Sequence, residues 1–179
     1  MQPTRVLIIE DEPILLDTLA STLRLKLPQT QIDTVDTVLA SLERIRSMEY
    51  AAIICDAHQR GLEGIGFVRA VHKIHPLCPV LLLVEKHHED LFRQAMDAGA
   101  YDVLVKPVEE GTVLFAVRRA IEVFQLRGQV KRERTQLVAL VGRMMRDLEV
   151  LYGAYGLQAH FEAFMASENL EKIGLSTEG

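Results

Sequence analysis

Cysteine is scarce. The chain of 179 residues holds two, Cys55 and Cys78, each in or beside an apolar stretch. That excludes a secreted framework of paired cysteines and predicts two buried, reduced thiols. Long hydrophobic runs are also lacking, so no segment reaches the length of a membrane span. Met1-Gln2-Pro3-Thr4 leads straight into an apolar run, with no signal peptide read before it, and a cytoplasmic location is expected. Proline is confined to the first 107 residues, which hold all six. The rest of the chain therefore carries no strong helix breaker. After Phe124 there is no glycine-rich phosphate loop, metal-ligand cluster or catalytic motif, and no enzymatic output is expected there.

What is present is a packable core. Hydrophobic residues make up 49% and charged residues 25%, with a net charge of −5. The length suits one domain plus an appendage. Residues 1–107 carry 11 Lys+Arg and 15 Asp+Glu, whereas Arg118 to Asp147 hold eight basic and three acidic residues.

Three apolar runs end on charge. Ala51-Ala52-Ile53-Ile54-Cys55 stops abruptly at Asp56, Val6-Leu7-Ile8-Ile9 ends on Glu10-Asp11, and Val103-Leu104-Val105 ends on Lys106-Pro107. Unbroken β-branched runs of this length read as strands buried on both faces of a parallel sheet. Ligand sites in such sheets lie beyond the carboxyl ends of the strands. If the three are neighbours, three carboxylates and one ammonium converge there.

The order of the other elements agrees. Strands are predicted at 5–10, 31–35, 51–56, 80–84 and 101–105. Helices follow, the first on Ile14, Leu15, Leu19, Thr22, Leu23 and Leu27 after Pro13, a good first-turn residue. The second is capped by Asp36 or Thr37, with Val38, Leu39, Leu42, Ile45 and Met48 inward. The third runs from about Ile65 to Ile74, and the fourth, over Leu91 to Met96, stops at Gly99 in the left-handed conformation. The fifth buries Leu114, Val117, Ile121 and Phe124. The fold class is α/β, a five-stranded parallel sheet, doubly wound.

Glu10-Asp11, Asp56, Gly64 and the run from Ala98 to Lys106-Pro107, in that order, resemble the receiver domain of two-component response regulators, over about Arg5 to Phe124. The resemblance implies the flavodoxin-like receiver fold. It also implies a phosphoacceptor at Asp56 and Mg²⁺ held by Glu10, Asp11, Asp56 and the backbone carbonyl of His58. Lys106 would pair with a phosphoryl oxygen, aimed by a cis Lys106–Pro107 bond. The implied partner is a sensor histidine kinase or phosphotransfer protein, and the implied role is phosphorelay signal transduction. Hard carboxylate oxygens suit Mg²⁺, and a fixed ammonium with a divalent cation neutralises phosphoryl charge.

The chain departs from the family at switch positions. Val84 stands where Thr or Ser is usual and is followed by Glu85. Val103 stands where an aromatic is usual, with Tyr101 two residues earlier as a partial substitute. Arg60 stands where proline is usual. These departures predict a receiver that binds Mg²⁺ and switches weakly or by another route. His72, His75, His87 and His88 lack partners at metal-ligand spacing and read as surface or capping residues.

Residues 125–179 form a helical extension after a receiver domain of residues 1–124. Val130, Leu137, Val141, Met144, Leu148, Leu151 and Tyr155 make an a/d heptad stripe, with Arg134 as its polar intruder. Gly128 weakens the join to helix five, and a coiled coil to about residue 155 is expected to end at Gly153 and Gly156. A short amphipathic helix using Leu157, Phe161, Phe164, Met165 and Leu170 follows. The stripe predicts a homodimer seam or a partner-docking face, or a hairpin folded on the receiver itself. The basic cluster Arg127, Lys131, Arg132 and Arg134 is short and lacks interleaved aromatics, which disfavours nucleic acid. The alternatives are a pseudo-receiver scaffold without phosphate-dependent switching and, less favoured, a DNA-binding transcription regulator.

Overall fold

The structure is a computed structural model and describes residues 4–58, 64–86 and 89–152. Strands β1 (Thr4–Ile9), β2 (Thr30–Val35), β3 (Ala52–Asp56), β4 (Val80–Val84) and β5 (Asp102–Val105) alternate with helices α1 (Pro13–Lys26), α2 (Val38–Ser47), α3 (Gly64–Ile74), α4 (Glu89–Asp97) and α5 (Glu110–Tyr152). All the strand pairs are parallel, in the order β2-β1-β3-β4-β5. This is the flavodoxin-like doubly wound sheet, whose strand order reverses between β1 and β3.

Alternation along each strand splits the core in two. Leu7, Ile9, Ile53, Cys55, Val80 and Leu82 join Val38 and Ile45 of α2, Phe67, Val68 and Val71 of α3 and Ala95 of α4. Val6, Ile8, Ile54, Leu81, Leu83 and Leu104 join Leu19 and Leu23 of α1 and Val113, Val117 and Ala120 of α5. β3 and β4 are buried at every position. Each such Leu or Ile is worth about 1.5–3 kcal/mol on removal from water.

Local signals behave as their chemistry requires. Pro13 opens α1. The Thr37 side chain, not Asp36, caps α2 by accepting from the Ala40 N–H. Gly99 follows α4 at φ +94°, a conformation that a Cβ would strain.

Several inward faces differ from expectation. Leu39 of α2 and Met48 at its C-cap are exposed, and Ser41 is buried instead, its hydroxyl donating to the Val38 carbonyl. Ile14 of α1 is 77% exposed. α5 meets the sheet through Val113, Ala116, Val117 and Ala120, with Leu114 and Ile121 at the margin. The buried face thus lies one position away from the larger side chains Leu114 and Ile121.

α5 does not stop at Phe124, and Gly128 and Gly142 both lie inside it. The chain divides into a unit of Met1–Arg127 and a second that starts at Gly128. In the second, Val130, Leu137, Val141, Met144 and Leu148 are exposed, as are Val138 and Leu140 beside them. The Leu151 side chain and the expected helix from Leu157 onward lie outside the described residues. Among the described residues, no helix is long and apolar enough to cross a membrane.

Both cysteines are fully buried and unpaired with each other. Burial pushes both thiols up, that of Cys78 to about 12. Ellman's reagent is expected to leave both unmodified over minutes in native protein and to titrate both in urea, because the thiolate is the nucleophile. Rapid labelling of native protein would contradict the packing of β3 against β4.

Candidate functional site

The side-chain alternation that sorts the core also builds the site. Ile8, Ile54 and Leu104 face the α1/α5 side. Two residues further along each strand line stand Glu10, Asp56 and Lys106, so period two carries all three to that same side. β1 and β3 are aligned Ile8 with Ile54 and Ile9 with Cys55, which sets Glu10 level with Asp56. The place is the carboxyl edge at the β1/β3 switch point.

The geometry is tight. The Lys106 ammonium donates to Asp56 Oδ2 at 2.5 Å and to Glu10 Oε2 at 2.9 Å. The other carboxylate oxygens accept from backbone, Asp56 Oδ1 from the His58 N–H at 2.7 Å and Glu10 Oε1 from the Glu12 N–H at 3.2 Å. The Glu10 N–H donates to the Val35 carbonyl, and the Lys106 N–H to that of Val84. Lys106–Pro107 is cis. Asp11 is exposed beside this pair, and one oxygen from each of Glu10, Asp11 and Asp56 falls within 4.8 Å of the others.

Electrostatics explain why the lysine is there. The Glu10 side chain is 1% exposed. Burial raises its pKa, and the Lys106 hydrogen bond opposes that rise. Burial alone would lower the pKa of Lys106, but its hydrogen bonds to Asp56 and Glu10 win, and the net shift is upward. Three carboxylates, Glu10, Asp11 and Asp56, thus gather at this edge with the Lys106 ammonium. Octahedral Mg²⁺ binds oxygens at about 2.0–2.1 Å, which puts ligand oxygens about 3–4 Å apart. Glu10, Asp11 and Asp56 each turn an oxygen into this space, and all three are the hard donors that Mg²⁺ prefers.

The remaining predicted positions fall around this cluster. His58 is exposed at the start of the loop after β3. Val84 and Val103 are both buried, in the core on the α2/α3/α4 side. Tyr101 packs in the opposite core, with Leu104. It therefore does not share the face of Val103. β5 starts only at Asp102, so the period-two argument does not reach back to Tyr101. Arg60, His87 and His88 lie outside the described residues. His72 and His75 bind backbone carbonyls, those of Cys78 at 3.1 Å and Ile45 at 2.6 Å. His75 thus reaches the last turn of α2.

One feature escaped sequence reasoning. A cavity of about 450 Å³ opens beside Lys106 between the start of α1 and the β4–α4 and β5–α5 loops, lined by Glu12, Ile14, Leu15, Glu85, Pro107 and Val108 among others. In the sequence Ile14 shows only helical spacing with Leu15 and Leu19. Its proximity to Pro107 and Glu85 depends on tertiary structure across more than 70 residues.

The fold and this edge can be set beside known proteins. The family model of the response regulator receiver domain matches residues 6–118. The C4-dicarboxylate transport transcriptional regulatory protein DctD of Pseudomonas aeruginosa is 33% identical over 147 residues, covering 78% of this chain and 29% of its own length. A putative NtrX-like response regulator of Rickettsia typhi is 27% identical, over 79% of this chain and 29% of its own length. The chain thus spans less than a third of these relatives. A response regulator receiver domain protein from Clostridium thermocellum superposes with a TM-score of 0.64 at 25% identity, covering 69% of this chain and 98% of that one.

Proposed function

The chain belongs to the response regulator receiver domain family, and on that premise we propose that it accepts a phosphoryl group on Asp56 in a two-component phosphorelay. The observation that carries the reading is the Lys106 ammonium bridging Asp56 and Glu10 at the sheet edge, with Asp11 beside them. In this reading Glu10, Asp11, Asp56 and the His58 carbonyl hold Mg²⁺, which when bound neutralises charge on the incoming phosphoryl group.

The chain's own groups do the rest. The His58 N–H fixes one Asp56 oxygen, so the carboxylate presents a defined edge. A carboxylate oxygen forms a bond to phosphorus as the phosphorus–nitrogen bond of the donor phosphohistidine breaks. The imidazole leaves with that electron pair. An ammonium has three donors, two of which hold Asp56 and Glu10, and Lys106 can turn a donor to a phosphoryl oxygen without leaving the site. Water later attacks phosphorus and restores the carboxylate. The donor is a sensor kinase or phosphotransfer protein.

Output runs through the second unit. Its exposed stripe of Val130, Leu137, Val141, Met144 and Leu148 supports a dimer seam or a docking face for a partner protein. In this reading residues 1–124 are the receiver and residues 125–179 the output extension. The apolar residues at Val84 and Val103 support a second reading, a receiver whose α4 side does not respond to phosphate. Neither side chain has a hydroxyl to meet a phosphoryl oxygen or relay its arrival.

The test is intact-mass measurement after incubation with phosphoramidate and Mg²⁺. The expected result is a gain of one phosphoryl group, lost on hydroxylamine treatment and absent in Asp56→Asn or in EDTA. No gain, or a gain retained by Asp56→Asn, would refute the assignment. Light scattering on the same samples separates the two readings of output: a mass that changes with phosphorylation supports a working switch, and a constant mass supports the uncoupled receiver.

A further inference from the structure

The cavity beside Lys106 has an unusual rim for a place that receives phosphoryl groups. Two carboxylates, Glu12 and Glu85, line it with Ile14, Pro107 and Val108. Both are exposed. Glu85 directly follows Val84, whose carbonyl accepts from the Lys106 N–H, so the backbone ties it to the strand end that positions the ammonium. Like Glu12, it places a carboxylate on the cavity that Lys106 lines, and the Lys106 ammonium also holds Asp56 and Glu10.

We propose that Glu85 is a specificity-determining residue that discriminates phosphodonors by charge, slowing free anionic phosphates at the cavity mouth while leaving protein donors unhindered. This rests on the reading of Asp56 as phosphoacceptor. The physics is like-charge repulsion during approach. An acyl phosphate dianion brings two negative charges past Glu85 and Glu12. A protein donor brings its phosphoryl group embedded in a surface whose cationic side chains can face the same carboxylates. The apolar lining of Ile14, Pro107 and Val108, with Ile14 and Pro107 exposed, suits a protein surface and gives a small hydrated anion nothing.

A carboxylate oxygen of Asp56 forms a bond to the phosphorus of acetyl phosphate, the bond from phosphorus to the acetyl oxygen breaks, and acetate departs with the electron pair.

The experiment measures the rate of Asp56 phosphorylation by acetyl phosphate, a dianion, and by phosphoramidate, which carries one less net charge. It compares the native chain, Glu85→Gln and Glu85→Lys at saturating Mg²⁺. At low ionic strength Glu85→Gln is expected to react about three- to fivefold faster with acetyl phosphate, and Glu85→Lys faster still, with a smaller gain for phosphoramidate. The differences should shrink at about 0.5 M salt, where exposed charges are screened within a few ångströms. Equal rates in all three proteins, or a gain that is the same for both donors and unaffected by salt, would overturn the charge mechanism. If no donor labels any of the three proteins, the phosphoacceptor reading falls and this inference falls with it. Labelling without a charge dependence overturns this inference alone.

Discussion

Replacing Lys106 with methionine is expected to lower folding stability by about 3 kcal/mol at neutral pH without divalent cations, a typical cost of removing one partner from a buried ion pair. Methionine keeps much of the side-chain volume, so the loss is of charge and not of packing. Two carboxylates then face each other, Glu10 at 1% and Asp56 at 11% side-chain exposure. Their oxygens come within 4.8 Å, and at that separation with an effective dielectric near 20 the repulsion is about 3.5 kcal/mol. They escape part of it by taking up a proton. The pH dependence follows from that. A carboxyl whose pKa is raised on folding binds protons more tightly in the native state, so its native state loses stability as pH rises. Burial already raises Glu10 above 4.5 in the native chain, and loss of Lys106 raises it further. The defect should therefore be small near pH ~5 and grow through neutrality. Mg²⁺ should restore part of the lost stability, and should bind the variant more tightly, because one competing cation is gone. Urea unfolding at several pH values, with and without Mg²⁺, checks this. A variant as stable as the native chain, or a defect that does not vary with pH, would mean that Lys106 is not the counter-ion that keeps these acids charged.

The same residues show how far the sequence could be read. β1, β3 and β4 were legible because strands buried on both faces must be apolar throughout. Val6–Ile9, Ala52–Cys55 and Val80–Val84 carry that pattern with little noise. The fold class followed from their alternation with helices, and the sheet order agrees with it. Glu10, Asp11, Asp56 and Lys106 could be grouped because each stands at the charged end of an apolar run. What could not be read was the choice among apolar residues within a helix. Periodicity places Leu39 and Met48 inward, but Ser41 is the buried residue and its hydroxyl donates to the Val38 carbonyl. On α5 the buried positions include the alanines at 116 and 120, which a hydrophobicity pattern ranks below Leu114 and Ile121. The helix also runs on through Gly128, where about 1 kcal/mol of intrinsic penalty is spread over a helix of 43 residues. Glu85 looked like a departure from the family, but its place on a cavity shared with Ile14 and Pro107 needs the tertiary fold.

Gly64→Ala is expected to destabilise the chain by about 2–3 kcal/mol, in the range of forced overpacking. It should also slow phosphoryl acceptance more than that loss of stability explains. A Cβ at Gly64 would lie 2.8 Å from Ala57 Cα and 3.2 Å from the Ala57 carbonyl oxygen. Those are backbone and short side-chain atoms, so no flexible chain can swing away. Each side of the clash is also anchored. The Ala57 N–H donates to the Leu83 carbonyl and its carbonyl accepts from the Gly64 N–H at 3.0 Å. α3 is held through Phe67 and Val68, both fully buried. Something must shift, and the nearest backbone is that of the residue after Asp56. Misplacing a reacting group by about 1 Å costs up to about 100-fold in rate, so the phosphorylation rate should fall at temperatures where the variant is still folded. Gly111→Ala is the control. Nothing lies within 4 Å of its Cβ, it sits in the first turn of α5, and it should be neutral or stabilise by up to about 1 kcal/mol. If the two substitutions behaved alike, the close approach of α3 to the β3 loop would not constrain Asp56, and the geometry argued for the acid pocket would need another support.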